Sequence, residues 1–420
     1  MCECPQCVDP STKQKLFATT DVPTSLRVDN DRYSPPSGDE TEYEIKWLDD
    51  VDGFGPDHST VVSRETIERI VRTGTPIEMP KMPEKVLWDD VGFRQDVVDL
   101  DYEAYMSDDS VLHQALQNLH THGLVFLTNV PESEGSVASI AERIGPVKNT
   151  FYGYTWDVRS VPQAKNVAYT SQNLGFHMDL LYMKQPPHLQ FLHCIRASSA
   201  GGASTFTDSY KAASDLFQQE NGHHAFRALS ETPVNYHYNH PESHYYFQSR
   251  PVMELKEPLY FAGRGFNNLR RFLSYAEEVY GVSLKDIDIF RWIEAVAWSP
   301  PFQAPFSYVT PGRDPSGVPS RNRFSELHTM NGKMDDHWHP AAKRFDDLIH
   351  RPEGIYERMM KPGECVLFDN RRVLHARKAF EVGDIGKERW LRGAYLDKDP
   401  YMSKMRVLWE RFGRPKPADD

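Results

Sequence analysis

The sequence predicts a mainly β fold, a sandwich or barrel that carries flanking helices, and two observations favour it. Helical patterns are concentrated in the first third of the chain, whereas most of the remainder consists of short strand-like runs separated by turns. Strands and helices do not alternate as they would in a parallel βαβ sheet. A chain of 420 residues with 39% hydrophobic content can bury one large core or two smaller ones.

The N-terminal part predicts a small subdomain followed by a linker. Residues 29–57 mix Pro, Gly, Ser and acidic residues around one alternating run, "YEIKWL", which is typical of a strand in a strand pair. Ser63 caps a predicted helix in "SRETIERIVRTG", and Gly74 follows its last turn. A proline-bearing stretch comes next. We therefore predict a subdomain with its linker over residues 1–88 and a second domain over residues 89–420.

The second domain shows helix and strand patterns in a definite order. Apolar spacing in "DDSVLHQALQNLH" predicts a helix, and the strand that follows it covers residues 124–130. Another helix is predicted over residues 209–220. Near the end, "KPGECVLFDNRRVLHARKAF" predicts a hairpin, with one strand at residues 365–368, a polar turn, and a second strand at residues 373–376.

Composition and charge disfavour several classes of partner. The chain has 48 basic and 60 acidic residues, a formal charge of -12, and no run rich in Lys and Arg. This balance argues against a nucleic-acid or anionic-membrane surface but does not repel a small cationic substrate. No apolar stretch reaches the ~18 residues of a membrane span, and the N-terminus lacks the layout of a secretory signal. We expect a soluble, intracellular protein without a nucleic-acid or membrane partner.

The five cysteines are spread unevenly along the chain. Cys2, Cys4 and Cys7 form C-x-C-x-x-C, which lets three thiolates converge on one soft ion, whereas a disulfide framework is disfavoured for an odd count without a secretory signal. Zinc requires one more ligand, and the nearest downstream histidine is His58. Free surface thiols are the alternative. The other two cysteines, at positions 194 and 365, lie in apolar runs and are predicted to be small core residues.

Three residues that are far apart in the sequence predict a second metal site. His177 and Asp179 in "FHMDLL" are separated by one residue, so on an extended strand both side chains point to the same side. His375 lies on the second strand of the predicted hairpin. A surface His–Asp hydrogen bond and a core histidine are the alternatives. Two histidines and one carboxylate leave three positions of an octahedral ion open, the arrangement that non-heme iron(II) uses to take up oxygen and a chelating co-substrate.

Arg389 offers a cation for the far end of such a co-substrate. It follows His375 in "KERWLRGAY", and we expect it on the next strand of the same sheet. A guanidinium binds a carboxylate in bidentate fashion. The combination of H-x-D, a later strand histidine and a following arginine favours a metal-dependent oxygenase over separate structural roles. No G-x-G-x-x-G or Walker loop supports nucleotide binding.

These four residues, with "HLQFLHCIRASSAGGASTFTDSYKAA" between them, resemble the 2-oxoglutarate-dependent oxygenases of the TauD/TfdA (taurine dioxygenase) type, and within them the gamma-butyrobetaine dioxygenases. The resemblance covers nearly the whole chain. It implies a double-stranded β-helix (jelly-roll) catalytic domain, Fe(II), the co-substrates 2-oxoglutarate and O2, ascorbate as reductant, and a homodimer. It also implies that Cys2, Cys4, Cys7 and His58 hold structural zinc, and that Ser204 and Asn166 lie in the co-substrate site.

Aromatic residues carry the resemblance to the subfamily. Gamma-butyrobetaine dioxygenases build an aromatic cage around a trimethylammonium group. Four aromatic residues of this chain occupy the corresponding places: Tyr152, Trp156, Tyr169 and Tyr395. Aromatic faces attract a quaternary ammonium, each contributing on the order of 1 kcal/mol. Ordinary core aromatics are the alternative. One of Asn267 and Asn268 is expected to be a polar residue of the same pocket.

The resemblance implies hydroxylation of gamma-butyrobetaine at C3, which gives L-carnitine with succinate and CO2. Two other functions stay open: the same chemistry on trimethyllysine or another quaternary ammonium compound, and a catalytically silent scaffold that contains zinc. The segment over residues 299–322 is rich in Pro, Gly and Ser and predicts a loop insertion that could alter substrate choice. The compartment is expected to be the cytoplasm, with the mitochondrion as the alternative.

Overall fold

The computed structural model describes residues 2, 4–29, 41–55, 57–73, 82–159, 172–198, 200–256, 259–261, 264–266, 268–306, 337–381 and 389–413. The chain divides into two compact units, Met1–Lys81 and Met82–Asp420. The first unit ends before the predicted limit at residue 88. Trp88 belongs to the second unit, where its side chain is buried and its indole N–H donates to the carbonyl oxygen of His122. Burial of this indole places the last residue of the predicted linker in a core.

The first unit contains one strand pair and one helix. Strand β1 (Glu42–Lys46) pairs in antiparallel fashion with β2 (Ser59–Ser63), and helix α1 (Arg64–Thr73) follows directly. The Ser63 hydroxyl accepts a hydrogen bond from the backbone N–H of Thr66, so it caps the helix as its sequence position predicts.

The second unit is dominated by β-strands. In chain order they are β3 (Leu100–Asp101), β4 (Leu124–Thr128), β5 (Trp156–Arg159), β6 (Leu174–His177), β7 (Leu189–Arg196), β8 (Ser204–Asp208), β9 (Pro233–His240), β10 (His244–Pro251), β11 (Met253–Leu255), β12 (Leu259–Phe261), β13 (Arg264–Phe266), β14 (Ile293–Val296), β15 (Ile355–Arg358), β16 (Glu364–Asp369), β17 (Val373–Arg377) and β18 (Trp390–Leu396). One sheet has the order β3-β4-β16-β7-β18-β5 and another has the order β15-β8-β17-β6. Apart from the parallel β3–β4 pair, the strand pairs of these two sheets in the described residues are antiparallel.

The two large sheets face each other. Phe206 of β8 contacts Phe126 of β4 and Phe368 of β16, with ring centroids 5.9 and 5.7 Å apart. One cavity is lined by Phe206 from the four-stranded sheet and by Leu192 and Leu391 from the six-stranded sheet. The structure therefore confirms a mainly β fold with helices in which two sheets pack face to face. Among the described strands, one parallel connection with intervening helices occurs, from β3 through α3 and α4 to β4, and the rest of both sheets is antiparallel.

Helices cover the outside of this sandwich. They are α2 (Asp90–Asp96), α3 (Tyr102–Ser107), α4 (Asp109–Thr121), α5 (Ser136–Ile144), α6 (Ser209–Gln218), α7 (Gly222–Glu231), α8 (Leu269–Tyr280), α9 (His339–Ile349) and α10 (Lys398–Leu408). A second core forms where α4, α5 and α10 meet the outer face of the six-stranded sheet, and it includes Leu116, Ile140, Phe191 and Met405. Strand β7 is buried on both faces for this reason, which explains its continuous apolar run.

The predicted hairpin over residues 365–376 is wrong. Both strands exist, but β16 pairs with β4 and β7 in one sheet, whereas β17 pairs with β6 and β8 in the other. Their connection crosses between the sheets and is fixed by buried polar contacts: the Arg371 N–H donates to Asp369, and the Arg372 guanidinium forms an ion pair with Asp208 at 2.7 Å. The segment therefore carries the chain across the sandwich.

Candidate functional site

The motif His177-Met178-Asp179 lies at the end of β6. His177 is the last residue of the strand, whereas Asp179 lies in the turn that follows, so the expectation that both stand on one extended strand is wrong. Leu180 adopts the left-handed conformation, with φ of 61°, which turns the chain sharply after Asp179. As a result, His177 Nε2 and Asp179 Oδ1 are 3.5 Å apart.

His375 joins this pair through strand pairing. It lies in the middle of β17 directly opposite His177 on β6, and the two imidazole centroids are 4.1 Å apart. One potential ligand atom from each of His177, Asp179 and His375 lies within 4.8 Å of the others. His177 Nδ1–H donates to the carbonyl oxygen of Gly175 at 2.9 Å, which leaves Nε2 free to bind a metal.

The electrostatics of the three side chains suit a divalent cation. Burial and the nearby His177 lower the pKa of His375 to about 3, so its imidazole is neutral and can act as a ligand. Burial alone would raise the pKa of Asp179, but His177, His375 and the Tyr395 hydroxyl, all close to the carboxylate, hold it below its usual value. Two imidazoles and a carboxylate are the donor set that iron(II) takes in oxygenases, so these residues fit the ion.

Two buried side chains orient the carboxylate of Asp179. Gln190 Nε2 and the Tyr395 hydroxyl both donate to Asp179 Oδ2, each at 2.8 Å. Gln190 projects from β7 and Tyr395 from β18, both strands of the opposite sheet. Because Oδ2 receives both hydrogen bonds, Oδ1 is the oxygen that faces His177.

Arg389 and Ser204 line the same cavity as the three candidate ligands. Arg389 directly precedes β18 of the six-stranded sheet, so it reaches the cavity from the opposite sheet rather than from the sheet of His375 as predicted. Burial lowers its pKa to about 10, which leaves the guanidinium charged at neutral pH. Among the residues that the structure describes, Arg389 pairs with no carboxylate, so a buried cation faces the cavity without an anionic partner.

The aromatic residues of the expected cage have different positions. Trp156 lines the cavity, and its ring stacks on that of Tyr395 with centroids 5.0 Å apart and planes 28° apart. Gly393 permits this arrangement, because a Cβ there would lie 2.3 Å from Trp156 Cζ2. The Tyr152 hydroxyl lies 3.3 Å from that of Tyr182. The stacked rings therefore do not form two opposed walls around a cation.

A second cluster of potential metal ligands lies in the first unit. One atom from each of Cys2, Cys4, Cys7 and His58 lies within 4.8 Å of the others. His58 Nε2 is 3.6 Å from Cys2 Sγ and 3.3 Å from Cys7 Sγ. His58 Nδ1–H donates to Asp50 Oδ2 at 2.5 Å, which fixes the ring as a carboxylate commonly does for a zinc-bound histidine.

The cysteines of this cluster differ in their pKa: burial and the neighbouring Cys2 and Cys4 raise the pKa of Cys7 to about 12, whereas that of Cys4 is lowered. Burial would raise the pKa of Cys4, but hydrogen bonds from Cys2 and from the backbone N–H groups of Cys7 and Gln6 lower it to about 7. The thiolate is the form that binds zinc. Three thiols and one imidazole match the ligand types and number of a structural zinc site.

Comparisons with known proteins identify the family. The family model described as "Taurine catabolism dioxygenase TauD, TfdA family" matches residues 85–395. The chain belongs to the TauD/TfdA family. A dioxygenase of Strobilurus tenacellus, "Dioxygenase str8", is 32% identical over 97% of this chain and 83% of its own length. Human gamma-butyrobetaine dioxygenase is 29% identical over 78% of this chain and 70% of its own length. Mouse mitochondrial trimethyllysine dioxygenase is 23% identical over 97% of this chain and 80% of its own length.

The chain is thus an Fe(II)- and 2-oxoglutarate-dependent dioxygenase, since this is the chemistry of the family. Fe(II), 2-oxoglutarate and O2 follow from that membership. His177, Asp179, His375 and Arg389 line one cavity of the dioxygenase. The first three are of the residue types that bind iron, and the arginine is of the type that binds a carboxylate. No helix in the described part of the dioxygenase is long and apolar enough to span a bilayer.

Asn268, a further predicted site residue of the dioxygenase, does not line this cavity. Asn268 is exposed and caps α8, because its side chain accepts a hydrogen bond from the Arg271 N–H. The prediction that one of the two neighbouring asparagines is a pocket residue therefore stays a prediction for Asn267. Asn166, Tyr169 and Asn267 lie outside the described residues, as does most of the predicted insertion at 299–322.

The sequence analysis missed two polar residues that contact Asp179. Gln190 begins the run "QFLHCIR", where one amide in an otherwise buried apolar strand is the signal that could have indicated a site residue. Asn370 was assigned to a polar turn, and its contact with Asp179 cannot be inferred from local spacing. The two residues predicted to be core cysteines, Cys194 and Cys365, are buried as expected.

Proposed function

We propose that the dioxygenase hydroxylates gamma-butyrobetaine at C3 and releases L-carnitine, succinate and CO2. The observation that carries the proposal is the position of Trp156, whose ring lines the cavity beside His177 and Asp179. The similarity to gamma-butyrobetaine dioxygenase and the acidic net charge of the chain, which does not repel a cation, support the same substrate class.

Iron would be held by His177, Asp179 and His375. When bound, iron with 2-oxoglutarate and O2 supplies the oxidising power that replaces one C–H bond of the substrate with C–OH. His177, Asp179 and His375 would supply the three protein ligands, and all three side chains line the cavity. Gln190 and Tyr395 hold the Asp179 carboxylate in one orientation through their hydrogen bonds to Oδ2.

Arg389 would bind the distal carboxylate of 2-oxoglutarate, and the Ser204 hydroxyl would donate to it. Both side chains line the cavity that contains the candidate iron ligands. A charged, buried guanidinium without a carboxylate partner among the described residues requires an anion to offset its desolvation. The co-substrate carboxylate supplies that anion and is oriented by a bidentate contact.

The trimethylammonium group would lie against the Trp156 ring where this residue lines the cavity, with Tyr152 beside it. Tyr395 covers the other face of the indole and binds Asp179 through its hydroxyl, so its role is to support Trp156 and to orient the iron ligand. A cation over one desolvated indole face is stabilised by about 1–2 kcal/mol. Placement of the cation then decides which C–H bond is nearest to the iron.

Trimethyllysine is the second candidate substrate, because trimethyllysine dioxygenase aligns with nearly the whole chain and the two compounds share the trimethylammonium group. The catalytically silent scaffold is disfavoured, because the family is enzymatic and the candidate iron ligands lie together.

The proposal is tested by product analysis with matched substrates. Iron-loaded full-length protein is given 2-oxoglutarate with gamma-butyrobetaine, with trimethyllysine, or with the neutral analogue of gamma-butyrobetaine in which carbon replaces nitrogen. We expect succinate and carnitine in equal amounts from gamma-butyrobetaine, little turnover of the neutral analogue, and no product from His177→Ala. Trp156→Leu should lose the preference for the charged compound.

Each alternative has a distinct result. Hydroxylated trimethyllysine without carnitine would assign the second substrate. Succinate without hydroxylation of either compound would keep the oxygenase and reject the quaternary ammonium class. Equal turnover of the charged and neutral analogues would reject the role of the Trp156 face.

Four further properties belong to the same proposal. Cys2, Cys4, Cys7 and His58 would hold one structural zinc ion, which the distances and the Asp50 contact support. Ascorbate as reductant, a homodimer and a cytoplasmic location rest on the resemblance to gamma-butyrobetaine dioxygenases.

A further inference from the structure

Asn370 connects the two segments that carry the candidate iron ligands. Its Oδ1 accepts a hydrogen bond from the backbone N–H of Asp179 at 2.9 Å, and its Nδ2 donates to the backbone oxygen of the same residue at 3.0 Å. Nδ2 also donates to the carbonyl oxygen of Pro187 at 3.2 Å. The side chain is completely buried, and each of its polar atoms has a backbone partner whose donor or acceptor character fixes the orientation of the amide.

These contacts hold the backbone of Asp179 on both sides of its Cα atom. One amide group binds the N–H that precedes the Cα and the C=O that follows it, so both flanking peptide planes are fixed. The direction of the Asp179 side chain follows from those planes. Gln190 and Tyr395 then need only to select the rotation of the carboxylate.

The turn that Asn370 binds is strained. Leu180 has φ of 61°, in a region that costs a residue with a side chain about 1–2 kcal/mol and persists when the surroundings enforce it. Leu180 is buried, and the carbonyl group that precedes it is the one that Asn370 binds. The hydrogen bond to Asn370 therefore opposes relaxation of Leu180 to an ordinary conformation, which would rotate Asp179 away from His177.

Asn370 is itself held close to the other ligand segment. Its backbone N–H donates to the carbonyl oxygen of His188 at 2.8 Å, and its neighbour Arg371 donates to the Asp369 side chain. Strand β17 begins at Val373 and carries His375. The connection that delivers His375 across the sandwich thus also holds Asp179.

We propose that Asn370 is a positioning residue for the iron site, which fixes the Asp179 turn relative to the strand of His375. This inference rests on the proposed iron ligands and adds a residue that touches neither the metal nor the substrate. An alternative in which Asn370 only stabilises the fold makes a different prediction, because it leaves the metal affinity of the folded protein unchanged.

The test measures metal affinity and local backbone protection in the full chain. Asn370→Ala removes all three contacts, and Asn370→Asp keeps the size and one acceptor but loses the donor. Asn235→Ala is the matched control, because Asn235 is also buried and donates to a backbone oxygen, that of Pro305 at 2.6 Å, but does not contact Asp179. Dissociation constants for Mn(II) and Fe(II) are measured without oxygen, hydrogen exchange is followed at the Asp179 turn, and thermal unfolding reports folding.

We expect both Asn370 variants to bind metal about 10- to 100-fold more weakly and to exchange faster at the turn, as found when groups that orient metal ligands are removed. Asn235→Ala should match the wild type in both measurements even if its unfolding temperature falls. Wild-type metal affinity in either folded Asn370 variant would overturn the inference. If Asn370→Ala does not fold, Asn370→Asp decides the question.

The failure of this inference differs from the failure of the proposed iron site. If the wild-type protein binds neither Mn(II) nor Fe(II), or binds them equally well without His177, the proposed iron site is rejected. A wild-type protein that binds metal through His177, with folded Asn370 variants that bind equally well, would keep the site and reject the positioning role.

Discussion

Replacement of Arg389 by glutamine should weaken 2-oxoglutarate binding much more than the same replacement at Arg392. The Arg389 guanidinium is buried beside the candidate iron ligands and has no carboxylate partner among the described residues. Arg392 lies on strand β18, which Arg389 directly precedes, and its guanidinium donates to Asp157 Oδ1 and to the Thr155 hydroxyl, both at 2.8 Å. Comparison of the two variants therefore distinguishes the effect of the arginine in the cavity from that of a nearby arginine that forms a structural ion pair.

The expected magnitude follows from burial and charge. Removal of one partner from a buried, hydrogen-bonded charge pair costs about 2–5 kcal/mol, which corresponds to about 30- to 4,000-fold in affinity. Burial lowers the pKa of Arg389 to about 10, so the binding form is protonated. Titration of Arg389 should therefore not change the affinity for 2-oxoglutarate between about pH 7 and about pH 9. The affinity should fall as the pH rises through about 10, because the guanidinium then loses its charge.

The assay titrates 2-oxoglutarate, and separately pyruvate, into Fe(II)-loaded protein without oxygen and follows the visible charge-transfer band. Pyruvate has the chelating 2-oxo acid but lacks the distal carboxylate. Arg389→Gln should therefore weaken 2-oxoglutarate by about 30-fold or more and leave pyruvate unchanged, whereas Arg392→Gln should change neither. Equal weakening of both ligands, or a change under about threefold for 2-oxoglutarate, would refute the assigned role.

Two other predictions concern metal content and stability. Purified protein should contain zinc at about one ion per chain. The Cys7→Ser variant should lose this zinc, whereas a variant at the buried Cys365, Cys365→Ser, should retain it. Elemental analysis measures the zinc content, and zinc retention in Cys7→Ser would contradict the four-ligand site. Asp208→Ala should lower the free energy of unfolding by about 3–5 kcal/mol, because it leaves the fully buried Arg372 without its ion-pair partner. Glu357→Gln, in the exposed pair with Lys378, should lower it by only about 0–1 kcal/mol. Urea titration measures both values, and similar losses in the two variants would contradict the argument.

The candidate iron ligands were accessible to sequence reasoning because their chemistry is restrictive. Few residue types bind iron(II), and a histidine within an apolar strand requires a partner. The structural reason differs in part from the expected one. His177 and His375 meet because β6 and β17 pair in register, whereas Asp179 reaches them from a turn rather than from the strand.

The strand partners could not be derived from the same local patterns. Turn residues between two strands favour a hairpin, but pairing also depends on which other strands compete for each edge. Both edges of β16 are occupied by β4 and β7, and both edges of β17 by β6 and β8, which are distant in sequence. The short connection between β16 and β17 must therefore cross the sandwich, and Asn370 lies on that crossing.

The aromatic residues show the limit of transferring a role by position alone. Four rings at expected positions suggest four equivalent walls of a cage, yet Trp156 and Tyr395 cover each other, and the Tyr395 hydroxyl binds an iron ligand. The stack depends on Gly393, since a Cβ there would displace the indole. Trp156 is thus packed against strand β18 and also lines the cavity. The role of each ring therefore depends on its partners in the fold, because the ring of Tyr395 packs on Trp156 and its hydroxyl donates to Asp179, and neither contact can be inferred from the position of Tyr395 in the sequence.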